Sequence, residues 1–142
     1  MNMKPSAVPG AMPVSIKAVI VVDGRVLLLA NDRGEWELPG GRPDARESET
    51  VALAREIREE LGIAAVVGAR LAEEPFEVLP GRSVRIVSYG CAIEPAAAIR
   101  ISGEHQDLLW APLDALADLP LPAVYRRAIA LWMKLADSIG KP

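Results

Sequence analysis

Residues 41–63, GRPDARESETVALAREIREELGI, decide how this chain is read. A glycine-bearing loop runs into a segment whose apolar residues recur at helical spacing. At about 100° per residue, Leu53, Ala54, Ile57 and Leu61 share one side of a helix, and Glu56, Glu59 and Glu60 fall on another. Ser48 is placed to cap the N-terminus, Glu49 sits at the positive end of the helix dipole, and Gly62 is the expected stop. The helix is therefore expected over Glu49–Leu61. Glu56 and Glu60 are like charges at i,i+4 with Glu59 beside them, which destabilises an isolated helix by roughly 0.2–0.5 kcal/mol. A divalent cation reverses that sign, and oxygen-only donors suit Mg²⁺ or Mn²⁺ better than zinc or copper. A helix rich in Glu and Arg is more often just a solvated face. Against that, the acids cluster instead of alternating with lysines, Ala52 leaves room between them, and a Gly-Gly loop enters the same helix.

Working outward toward the N-terminus, residues 14–22 are mostly β-branched with Lys17 as the lone charge, which predicts a largely buried strand. Asp23-Gly24 separates it from a second apolar run, residues 25–30, and predicts a hairpin. Residues 31–35 read as a polar loop, and residues 36–38 as a short strand delivering Pro39-Gly40-Gly41 to the charged helix. On the other side, residues 64–78 suggest an irregular or bulged strand and Pro80-Gly81 a turn. Residues 83–93 alternate, with Val84, Ile86, Ser88, Gly90 and Ala92 on one face and Arg85, Val87, Tyr89, Cys91 and Ile93 on the other. Residues 99–102 are expected to be extended, residues 103–107 a polar loop, and residues 108–111 a last strand. Pro112 can open a short helix through Leu116. Residues 123–136 predict a final amphipathic helix with Val124, Ala128, Leu131 and Leu135 facing the core. Hairpins in place of regular strand–helix alternation imply an α+β fold, a mixed sheet with helices covering its faces.

The 142 residues, about half hydrophobic and a quarter charged, suit one compact domain over residues 14–142, preceded by a loose, proline-bearing arm over residues 1–13. A net charge of −3 offers no basic footprint for a nucleic-acid duplex or an anionic membrane. No apolar run approaches the roughly 20 residues that span a bilayer, because Asp23, Gly24 and Arg25 interrupt the longest one. Cys91 is the single cysteine, so no intramolecular disulfide is available, in keeping with a reducing, cytoplasmic setting.

Gly41, then five residues, Glu47, then seven, and Arg55-Glu56-Ile57-Arg58-Glu59-Glu60-Leu61-Gly62-Ile63 resemble the signature of the Nudix (MutT-related) hydrolase family at every defined position. The surrounding strand order is similar to that family's α/β/α sandwich over nearly the whole chain. The resemblance implies a Mg²⁺- or Mn²⁺-dependent hydrolase that cleaves the pyrophosphate linkage of a nucleoside triphosphate or another nucleoside diphosphate derivative. It implies Glu56, Glu59, Glu60 and the Gly40 carbonyl as metal ligands, with Glu56 also orienting or deprotonating water. Arg55 would pair with Glu47 and hold the loop against the helix. The family also draws an extra acid from an outside loop, for which Glu104 is the candidate and Asp107 the competitor. Homodimers are common among similar proteins. The alternative is a non-catalytic sensor of a nucleotide or sugar phosphate.

For the substrate the residues say less. The proline associated with ADP-ribose hydrolysis falls at Val78, and the markers for dinucleoside polyphosphates and NADH have no match. Trp36, Phe76 and Tyr89 are stacking candidates that are at least as well explained as core residues. Arg82 and Arg85 are more simply exposed strand arginines than phosphate ligands, and His105 more simply a loop residue than a catalytic one.

Overall fold

In the computed structural model, which describes residues 12–103 and 107–140, the first hairpin forms where the sequence places it. Strand β1 (Val14–Val22) turns through Asp23 and Gly24, both at positive φ (51° and 74°), into β2 (Arg25–Ala30). Two consecutive positive-φ residues give a turn whose twist matches that of the strands it joins. Val21 pairs with Val26 and Val22 with Arg25. Beyond these pairs each strand takes other partners. β2 pairs with β3 (Trp36–Glu37) and β7 (Leu108–Pro112). β1 pairs with β4 (Gly40–Gly41) and, in parallel, with β6 (Arg82–Ala92), which is antiparallel to β5 (Val66–Leu79). The result is a mixed seven-stranded sheet, and β5 is bulged by register shifts as its interrupted apolar pattern predicts.

Helix α1 (Glu49–Leu61) covers one face of the sheet and α2 (Ala123–Gly140) the other, completing the α/β/α sandwich. The alternation in β6 divides as expected. Val87, Tyr89 and Cys91 join the core under α1, while Val84 and Ile86 join the core under α2. In β1, Ile16, Ala18 and Ile20 face α1 and Val19 faces α2. Each large aliphatic side chain buried this way contributes about 1.5–3 kcal/mol relative to exposure.

Four local expectations are corrected. The expected Gly-Gly loop is in part a strand, since Gly40 and Gly41 pair with Lys17 and Ile16. Gly40 has φ 145°, and a Cβ there would strike the Ile16 carbonyl, so only glycine allows this approach. Ala52 is fully buried in the core under α1, so it makes no room among the acids. Residues 99–102 form no strand. The N–H groups of Arg100 and Ser102 donate to the carbonyls of Leu61 and Glu60, each at 2.8 Å, because the last turn of α1 has acceptors to spare. Finally, α2 runs past residue 136, and its buried stripe is Val124, Tyr125, Ala128 and Ile129. Leu131 is 42% exposed and lines a surface groove with Leu135, because the sheet meets the neighbouring stripe of the helix. The short helix after Pro112 is a 3-10 helix, Leu113–Asp118.

Candidate active site

Helix α1 is fixed at both ends by its own sequence. The Ser48 Oγ accepts the Val51 N–H at 3.2 Å, and Gly62, at φ 69°, donates its N–H to the Arg58 carbonyl at 2.9 Å. Leu53, Ile57 and Leu61 anchor the helix in the core, which leaves its acidic side facing β4. Between them lies a cavity of about 380 Å³, lined by Gly40, Gly41, Arg42, Glu56, Glu59, Glu60 and Ser102.

The three acids sit in different surroundings. Glu60 is 5% exposed, and its Oε1 accepts the Gly40 N–H at 2.7 Å. A buried carboxylate held by a backbone donor is tied rigidly to the loop opposite. The Glu56 carboxylate lies against the Cα of Gly41, where any Cβ would collide with it. Glu59 is the most open, and the Arg55 Nη1 donates to its Oε1 at 2.5 Å and to the Glu56 Oε1 at 3.0 Å. The same guanidinium donates from Nε and Nη2 to both oxygens of Glu47, at 2.7 and 2.9 Å, and from Nη2 to the Arg42 carbonyl at 3.2 Å. Arg55, with the Asp44 N–H as a second donor, holds the Glu47 carboxyl down at about 2, and Glu47 in turn raises the pKa of Arg55.

The donor chemistry fits a hard divalent cation: carboxylate and carbonyl oxygens, no sulfur, around one acidic cavity. Among the described residues no three acids converge into a ready-made cage, since Arg55 occupies Glu56 and Glu59. Gly40, Glu56, Glu59 and Glu60 are therefore brought to one cavity, with Arg55 and Glu47 beside it. Glu104 and His105 lie outside the described residues. Asp107 caps its own neighbour, its Oδ1 accepting the Leu108 N–H at 2.8 Å.

The aromatic candidates pack into the cores: Trp36 and Phe76 under α2, and Tyr89 under α1 with its hydroxyl donating to Glu49 at 2.6 Å. Arg85 pairs with Glu73 on β5. Sequence reasoning missed two residues of the cavity wall, Arg42 and Ser102, whose types carry no signal by themselves. It also missed Lys17, whose side chain is nearly buried on the α2 face and pairs with Glu37 at 3.7 Å. Burial lowers the Lys17 pKa, and Tyr125, Glu37 and Glu60 more than offset this, so it ends raised. A lone charge inside an otherwise apolar strand was the available clue.

A sandwich with an acid-lined cavity between a glycine strand and a capped helix defines a class, and comparison with known proteins names it. The NUDIX domain model matches residues 12–132, and the chain belongs to the Nudix hydrolase family. It is 36% identical over 118 residues, 75% of this chain and 85% of the relative, to the CTP pyrophosphohydrolase of Escherichia coli (strain K12). It is 38% identical over 84 residues to the 8-oxo-(d)GTP phosphatase of Mycolicibacterium smegmatis, but spans 26% of that longer protein and uses 59% of its own length. The crystal structure of MutT protein from Methanosarcina mazei Go1 superimposes with a TM-score of 0.74 at 28% identity, covering 92% of this chain and 96% of that one. Among the described residues no helix is long and apolar enough to cross a membrane.

Proposed function

We propose that this hydrolase cleaves the pyrophosphate linkage of a nucleoside triphosphate, or of another nucleoside diphosphate derivative, releasing a nucleoside monophosphate. The observation that carries the reading is the single cavity shared by Glu56, Glu59, Glu60 and the Gly40–Gly41 strand. Glu56, Glu59, Glu60 and the Gly40 carbonyl would hold Mg²⁺ or Mn²⁺. When bound, such an ion neutralises phosphate charge and lowers the pKa of water. Glu56, braced against Gly41, orients the attacking water and takes its proton. Glu60 keeps the strand and helix at a fixed spacing through the Gly40 N–H, and Arg55 with Glu47 keeps the loop docked. Glu104 supplies the additional acid. Displacement at phosphorus needs positioning and charge stabilisation more than covalent help, which is what this arrangement offers. Because the two relatives act on CTP and on 8-oxo-(d)GTP, these nucleotides come first on the panel.

The test is pyrophosphate and phosphate release across a nucleotide panel with Mg²⁺ and with Mn²⁺. Glu59→Gln and Glu60→Gln are expected to lose most activity while remaining folded. Full activity in both would remove the carboxylates from the reaction.

A further inference from the structure

Ser102 belongs to no helix or strand, yet its place is set by the helix that carries the acids. Its N–H donates to the Glu60 carbonyl at 2.8 Å, and two residues earlier the Arg100 N–H donates to the Leu61 carbonyl at the same distance. These bonds tie the segment to the last turn of α1, and Ser102 closes one wall of the acidic cavity. Its Oγ is shielded from solvent and makes no hydrogen bond among the described residues. The other side-chain atom in that condition, the Arg85 Nε, still has a Glu73 oxygen 2.8 Å away in an ion pair. The Ser102 hydroxyl has no such counterpart.

A buried hydroxyl without a partner costs stability, because the hydrogen bonds it makes to water in the unfolded chain are not replaced. Alanine would fill nearly the same space without that penalty. A cost of this kind beside a candidate active site marks a group that completes its bonding when a ligand is bound. The cavity wall shows which ligand atoms need it. It carries three carboxylates, from Glu56, Glu59 and Glu60, and two glycines, so its side-chain donors are the Arg42 guanidinium and the Ser102 hydroxyl. Phosphate oxygens brought against three carboxylates are repelled wherever no cation or donor covers them. The Ser102 N–H is already committed to Glu60, which leaves Oγ to donate.

We propose that Ser102 binds the substrate directly, its Oγ–H donating to a non-bridging oxygen of the diphosphate held in the acidic cavity. A hydroxyl suits this position, since it adds a donor without adding a charge that would pair with the acids beside it. The bond is made with the bound substrate as well as with the transition state, so its loss is read in KM more than in kcat. This rests on the hydrolase reading above and adds a substrate contact to it.

The experiment compares the wild type with Ser102→Ala by thermal denaturation without ligand, by calorimetry with Mn²⁺ alone, by calorimetry with methylenediphosphonate in the presence of Mn²⁺, and by turnover across the nucleotide panel. Ser102→Ala is expected to melt no lower than the wild type and to bind Mn²⁺ equally well. Its affinity for methylenediphosphonate is expected to fall about tenfold, with KM raised to a similar extent and kcat nearly kept. Ser102→Thr, which retains a hydroxyl, is expected to recover part of the affinity. Absent or equal diphosphonate affinity in the two proteins overturns the proposal. So does weaker binding of Mn²⁺ alone, which assigns the hydroxyl to the metal, and so does a lowered Tm, which gives it a structural role. Diphosphonate binding that depends on Ser102, with no turnover of any nucleotide, overturns the hydrolase reading and spares this one. Turnover indifferent to Ser102 does the reverse.

Discussion

The Arg55 guanidinium grips both oxygens of Glu47, Nε on Oε2 at 2.7 Å and Nη2 on Oε1 at 2.9 Å. Lysine cannot reproduce that fork. Arg55→Lys is therefore expected to lower kcat/KM by about 10–100-fold, as loss of a residue supporting a metal site does, with little change in circular dichroism. Unchanged kcat/KM in that variant would show that the fork is dispensable.

The same pair sets an acid limit. The Glu47 carboxyl is lowered from 4.5 to about 2 by Arg55 and the Asp44 N–H. A depressed carboxyl contributes stability that is fully present above the unfolded value and is lost as pH falls through the folded one. Glu47→Gln is expected to flatten the stability decline between pH 4.5 and 2. Urea titrations at steps across that window check it, and identical pH profiles for the two proteins would contradict it.

Gly40 and Gly41 are adjacent but should tolerate alanine very differently. At Gly40 the new Cβ meets the Ile16 carbonyl at a positive φ, so Gly40→Ala is expected to yield little folded protein. At Gly41 it meets only the end of the Glu56 side chain, which can move. Gly41→Ala is expected to fold and to lose activity because Glu56 is displaced. Thermal denaturation and turnover measured on both variants separate the two effects.

Gly90 on β6 lies directly under Trp132 of α2, since a Cβ there would enter the Trp132 ring. Gly90→Ala is expected to destabilise by about 1–3 kcal/mol through overpacking. Adding Trp132→Leu should recover part of that loss in a double-mutant cycle, and strict additivity would show that the two sites are uncoupled.

Cys91 is 3% exposed, and burial pushes its thiol up to about 12. It should resist iodoacetamide at pH 8 in the native state and react only after unfolding. Fast native labelling, read by mass spectrometry, would contradict that placement.

The periodic elements were legible because each carries its boundary chemistry in sequence. Ser48, Gly62 and the apolar spacing between them set α1, and Asp23-Gly24 set the first hairpin. The acids were legible for the same reason, as three residues on one helix share a face by geometry alone. What stayed hidden depends on partners distant in sequence. Residues 99–102 read as extended, but whether their N–H groups meet a strand or the end of a helix depends on where α1 finishes. Leu131 and Leu135 satisfy helical periodicity, and only the position of the sheet decides that Tyr125 and Ile129 are buried instead. Lys17 looked like an incidental charge until Glu37 was placed beside it.

The parallel ladder between β1 and β6, in which Val14 meets Arg85 and Ile20 meets Cys91, also sets a timetable. The central strand β1 is made well before its parallel neighbour, which is complete only once residue 92 has emerged. Until then the acid-bearing helix has only β1 to β4 to lie on, without the half of its floor that β6 supplies. Joining partners so far apart along the chain is slow. The acidic cavity therefore has no finished floor until β6 is made, and the interval before that leaves the apolar faces of β1 and α1 open to aggregation or proteolysis.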